Sequence, residues 1–154
     1  MIRDGNEEEV SFNVSLATPM NNEVQGAFFH ISGTEEGAYD LVSDAQKALA
    51  DPSAEKDMVN TDQAGATFTG SWEAGSGNNT TFVRSNSFDY ANATVDAAET
   101  AFAAGTATAS VNDPVDGDIY IAQLRGGNNY AVIKITNVDP TDATCVCGNL
   151  GKID

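Results

Sequence analysis

The feature that most constrains this chain is a series of period-two segments closed by turns rich in glycine and asparagine. The strongest runs from Asp118 to Leu124, turns around Gly126-Gly127-Asn128-Asn129, and returns from Tyr130 to Val138 with Ala131, Ile133 and Ile135 on one face. Alternation of this kind places every second side chain on the same side of an extended backbone, and a permissive turn sends the chain back beside itself. A second such pattern pairs Ala66–Glu73 with Thr80–Arg84 across Gly75-Ser76-Gly77-Asn78-Asn79. A third has Val10, Phe12, Val14 and Leu16 alternating with polar residues, then a turn over residues 17–22, then an extended segment from Glu23 to Ser32. Sequential hairpins make antiparallel sheet. The fold expected is therefore mainly β, an antiparallel sandwich or curled barrel with one or two short helices.

Two segments carry helical spacing instead. Ala38, Leu41, Val42, Ala45, Ala48 and Leu49 recur at intervals of three and four before Asp51-Pro52, although Tyr39-Asp40-Leu41-Val42 also reads as the start of a strand. Val95, Ala98, Ala101 and Phe102 form a stripe on a helix that Thr94 can cap and Gly105 can end, with Phe102 its expected anchor. Ser53–Thr61 is polar and reads as a short helical turn. With no fixed-period repeat and no long linker, residues 1–154 read as a single domain behind a polar lead of about eight residues.

Charge limits what such a domain can bind. Twenty-three acidic residues face 7 basic ones, for a net charge of −16. Such a surface is set against counterion-displacing contacts with nucleic acid and against docking on anionic lipid. No stretch approaches the length of a membrane span, so no direct membrane insertion is expected of this segment. The first nine residues lack the pattern of a signal peptide, so an exported form would be a mature one.

Chemistry-bearing residues are sparse. His30, the one histidine, has apolar neighbours and is a candidate ligand-binding residue; a nucleophilic triad would have to use it. Gly75-Ser76-Gly77 is turn composition rather than a nucleophile elbow. Cys145 and Cys147 are two thiols two residues apart on one side of an extended segment, to be read as free thiols or a local bridge, and with one distant histidine they fall short of a zinc site. Asp113, Asp116 and Asp118 cluster in one turn and Asp139 and Asp142 in another, and the first three are candidate calcium ligands. Trp72, Phe82, Phe88 and Tyr90 lie around the middle hairpin; Trp72 and Tyr90 are candidates for stacking on a small ligand, against the plainer role of core packing. Carboxylate pairs for glycoside hydrolysis are too easily found in so acidic a chain to be informative. No set of residues amounts to an active site, and a non-enzymatic chain is expected.

The segment from Asp118 to Ile135, Asp-Ile-Tyr-Ile-Ala-Gln-Leu-Arg-Gly-Gly-Asn-Asn-Tyr-Ala-Val-Ile-Lys-Ile, resembles the carboxy-terminal hairpin of β-rich surface lipoproteins of Bacteroidota, with the HmuY-like haem-binding proteins as distant relatives. Lys56-Asp57-Met58-Val59-Asn60 and Gly70-Ser71-Trp72 are similar to the central part of such proteins. The resemblance implies an all-β fold, export, a lipid-anchored amino-terminus and, in some members, haem capture by paired histidines. This sequence has His30 alone and would need Met20 or Met58 as a second ligand, so haem is not expected; nor does the start of the chain carry an anchor cysteine. The expected function is a binding or accessory domain at the outer cell surface, its ligand or protein partner unspecified. The alternative is a structural subunit of an extracellular filament, self-associating at its sheet edges with Val10–Leu16 as donor strand.

Overall fold

The computed structural model describes residues 19–20, 23–33 and 36–150. It contains two antiparallel five-stranded sheets and one α-helix. The first sheet runs in the order β1 (Glu23–Phe29), β10 (Thr144–Leu150), β9 (Asn129–Asp139), β8 (Ile119–Leu124) and β6 (Thr81–Arg84). The second runs β3 (Ala45–Lys47), β2 (Ala38–Asp40), β4 (Met58–Asn60), β5 (Trp72–Glu73) and β7 (Ser110–Val111). The sheets face each other across one apolar core, a sandwich-like arrangement, and no closed barrel forms among the described residues.

At the centre of that core Trp72 meets Phe28, Phe82 and Tyr120 edge-on at centroid distances of 5.2–6.1 Å. Around it lie Met58 and Tyr39 from the second sheet, and Ala131, Ile133, Ile135, Cys145 and Cys147 from the first. The opposite face of the first sheet is apolar too. There Ile119, Ile121, Tyr130 and Val132 form a second cluster with Ala98 and Phe102 of α1 (Val95–Ala104). Because β8 is covered on both faces, nearly every residue in it is buried. The layers are helix, sheet, sheet.

The β8–β9 hairpin forms as its alternation predicts, pairing Leu124 with Asn129 and Ile119 with Lys134. Its turn places Arg125 and Gly126 at φ 56° and 70°. Helix α1 also forms where expected: Thr94 Oγ1 accepts from the Ala97 amide, and the Gly105 amide closes the last turn on Phe102. Ala98 is its fully buried residue, whereas Phe102 is half-buried and rests edge-on against Tyr130 at 5.7 Å. A short 3₁₀ turn over Ser53–Glu55 matches the helical turn expected there, and Met58–Asn60 then continues as β4.

Two expectations are corrected. Residues 38–49 form the β2–β3 hairpin rather than a helix. Asp40 Oδ1 accepts the amides of Val42 and Ser43, which folds the chain into a turn before a helix can propagate. Asp44 completes that turn at φ 54°, and two residues of the supposed apolar stripe, Val42 and Leu49, are 57% and 45% exposed. The middle hairpin does not exist as a pair: Trp72 pairs with Asn60 and Val111, and Phe82 with Ala122, in different sheets. Its strand over residues 66–73 shortens to Trp72–Glu73, because Asp62 gathers the amides of Thr69 and Gly70 and the Thr69 hydroxyl into a loop. Glu23–Phe29 is a strand, as expected, and pairs with β10; Val10–Leu16, its expected hairpin partner, lies outside the described residues.

Candidate functional site

The described surface carries an open cleft of about 480 Å³ where β6, an edge of the first sheet, approaches β7, an edge of the second. An isolated bridge just before β7 ties β6 to it: the Phe82 amide donates to the Thr108 carbonyl at 2.8 Å, and the Thr108 amide to the Phe82 carbonyl at 3.0 Å. Phe82, Val111 and Tyr120, all buried, line its apolar part. Its polar wall is Thr106, Thr108, Ser110, Asn112 and Asp113, with Arg84 and Asp118 also lining it.

Arg84 is 61% exposed and donates from Nη2 to Asp118 Oδ1 at 3.1 Å. Asp118 is the fixed member of the pair. Its Oδ1 also accepts from Asn86 at 2.9 Å, and its Oδ2 from the Val115 amide and the Tyr120 hydroxyl. Burial alone would raise this carboxyl. The hydrogen bonds from Val115, Asn86 and Tyr120, together with Arg84, outweigh burial and hold it below the ordinary carboxylate range. Asp118 therefore anchors the loop at residues 112–117, whose Asp113 and Gly117 sit at φ 51° and 93°.

The remaining candidates are dispersed. Asp113 and Asp116 are exposed, and Asp116 Oδ1 accepts the Val138 amide at 2.8 Å. With Asp118 committed to Arg84, the three carboxylates do not converge, and no three metal-ligating side chains do so among the described residues. Trp72 has no exposure at all and offers no face to a ligand, so the stacking role is corrected to core packing. His30 Nε2 donates to the Ala66 carbonyl at 3.1 Å, while Nδ1 accepts the Ser32 amide at 3.1 Å and faces the Ser32 hydroxyl at 2.7 Å. With both ring nitrogens engaged and the ring against Phe68, His30 does not fit an axial haem ligand. Tyr90 is half-buried on the outer face of the first sheet. Its hydroxyl donates to Glu23 at 2.6 Å, and burial together with that bond pushes its pKa up.

Arg84 and the hydroxyl wall escape a sequence reading because they come from separate strands. The one available signal is scarcity, since Arg84 is one of only 7 basic residues. No protein-family model, curated protein or solved structure matches this chain. Function is therefore argued from geometry.

Proposed function

We propose that this chain is a non-enzymatic binding or accessory domain of an exported cell-surface lipoprotein, and that it holds a small, neutral, hydrogen-bonding ligand in the β6–β7 cleft. The observation carrying this reading is the composition of the cleft. Its one cationic group, Arg84, is already paired with the fixed carboxylate of Asp118. The rest of the wall is three hydroxyls, the Asn112 amide and the exposed Asp113 carboxylate over an apolar floor. Such groups orient a neutral ligand by hydrogen bonds, and the Asp113 carboxylate, unpaired among the described residues, disfavours an anion. Export and lipid anchoring rest on the resemblance of residues 118–135, and the acidic surface suits that setting.

A panel of neutral glycans and polyols, screened by calorimetry, tests the site. The expected result is a ligand retained by the unaltered chain and lost in Ser110→Trp, which fills the cleft from β7, with the melting temperature unchanged. Equal binding by Ser110→Trp would remove the site from this cleft. Turnover of any panel member would overturn the non-enzymatic reading. Added haem is expected to give no stoichiometric Soret band that depends on His30.

A further inference from the structure

The loop at residues 112–117 is a wall common to two clefts. One is the β6–β7 cleft. The other is an open groove of about 520 Å³, lined by Phe68, Thr69, Pro114, Asp116, Val138 and Pro140. Asp113 and Val115 line both, so the two are continuous.

The clefts differ in chemistry. The first presents hydroxyls and an amide. The second is mostly apolar, and two of its polar side chains are already engaged within the fold. The Thr69 hydroxyl donates to Asp62 Oδ1 at 2.6 Å, and Asp116 Oδ1 accepts the Val138 amide at 2.8 Å. Such a groove offers a ligand contact area and few hydrogen bonds.

Val115 stands at the junction and is 57% exposed. Its backbone is pinned. The Val115 amide donates to Asp118 Oδ2 at 3.0 Å, and its carbonyl accepts the Asp118 amide at 3.0 Å. The Gly117 amide donates to the Ile135 carbonyl at 2.7 Å, and the Asp113 amide to Ser71 Oγ at 2.9 Å. A single exposed valine is ordinary on a protein surface, and Val42 is exposed to the same extent. Val115 differs because a hydrogen-bonded loop holds it between a polar cleft and an apolar groove.

We propose, resting on the reading of the β6–β7 cleft as a ligand site, that its ligand is an amphiphile. A neutral, hydroxylated head occupies the cleft, and an apolar substituent passes over Val115 toward Val138 and Pro140, as in a glycoside with an alkyl aglycone. The continuity of the two clefts selects this occupant. A purely apolar ligand would leave the cleft's hydroxyls without partners. The net charge of −16, with Asp113 and Asp116 beside the groove, opposes an anionic head.

Matched methyl and octyl glycosides of neutral hexoses, titrated into the full chain below micelle formation, test this. The octyl member should bind at least tenfold tighter than its methyl partner, a gain that burial of a few methylenes supplies. That ratio should collapse in Val115→Ser and persist in Val42→Ser, at the β2–β3 turn. Octyl glycoside binding should be lost in Ser110→Trp. Equal affinity of the methyl and octyl members, or a ratio that survives Val115→Ser, would overturn the amphiphile and leave the cleft reading in place. Octyl binding retained by Ser110→Trp would overturn it too, by showing a tail held without its head. Silence of every methyl and octyl glycoside would overturn both.

Discussion

Asp57 shows how much one residue can organise. It is completely buried, yet its oxygens accept from Thr80, Asn78, the Leu41 amide and, in a two-pronged contact, Arg125 Nε and Nη2 at 3.1 and 2.9 Å. The same guanidinium reaches Asp40 at 2.8 Å, so the tip of the β8–β9 hairpin is clasped to the second sheet. Removing one member of a buried ion pair strands its partners, and Asp57→Ala should cost about 3–5 kcal/mol in denaturant melts. The opposite outcome is expected at Tyr39. Its hydroxyl is buried, has no hydrogen-bond partner among the described residues and lies where a side chain on Gly26 would stand. Tyr39→Phe should therefore leave stability unchanged or raise it by about 1 kcal/mol. Burial raises both thiols, Cys147 to about 12, and neither should react with a thiol reagent until the chain unfolds.

At the scale of the element, α1 is held by its cap and by one face. Thr94→Ala removes the acceptor for the Ala97 amide and should cost about 1 kcal/mol. Phe102 is half-buried, so Phe102→Ala should cost about 2 kcal/mol, below the 3–5 kcal/mol typical of a fully buried phenylalanine. Thermal or denaturant melts of the two variants check the ranking as well as the sizes. Three of the four strand edges are short or already used: β6 is tied to Thr108, and β3 and β7 are three and two residues long. Such edges give little length for pairing with a second chain.

The whole molecule sets self-repulsion from a net charge of −16 against buried carboxylates that need to stay ionised. Burial by itself would raise Asp40, Asp62 and Asp118. Hydrogen bonds from Ser43 and Val42, from Asn60, Thr69 and Gly70, and from Val115, Asn86 and Tyr120, respectively, bring all three below their ordinary 3.8. A carboxyl lowered in the folded state binds fewer protons folded than unfolded. Its contribution is present above the unfolded pKa and is lost as pH falls through the folded one. Urea midpoints should thus fall steeply below about pH 4 and vary little from about pH 5 to 7. Added salt, to about 0.5 M, should raise the midpoint at neutral pH by screening the surface charge.

Local chemistry determined some of this protein from sequence alone. The β8–β9 hairpin and α1 are legible because alternation, turn glycines, the Thr94 cap and the Gly105 stop all lie within a few residues of what they specify. Those signals suffice for a mainly β chain. Other features rest on contacts between distant residues. Arg125 meets Asp40 and Asp57 across separations of 85 and 68 residues, and only a folded chain brings them together. The helical spacing of residues 38–49 gave way to an Asp40 turn whose carboxylate is itself held by Arg125. The middle hairpin failed for a similar reason. Asn78 and Thr80 are drawn to Asp57, 21 and 23 residues away, so the strands on either side of their loop enter different sheets. The β6–β7 cleft follows from that separation, since it lies where the edges of the two sheets meet.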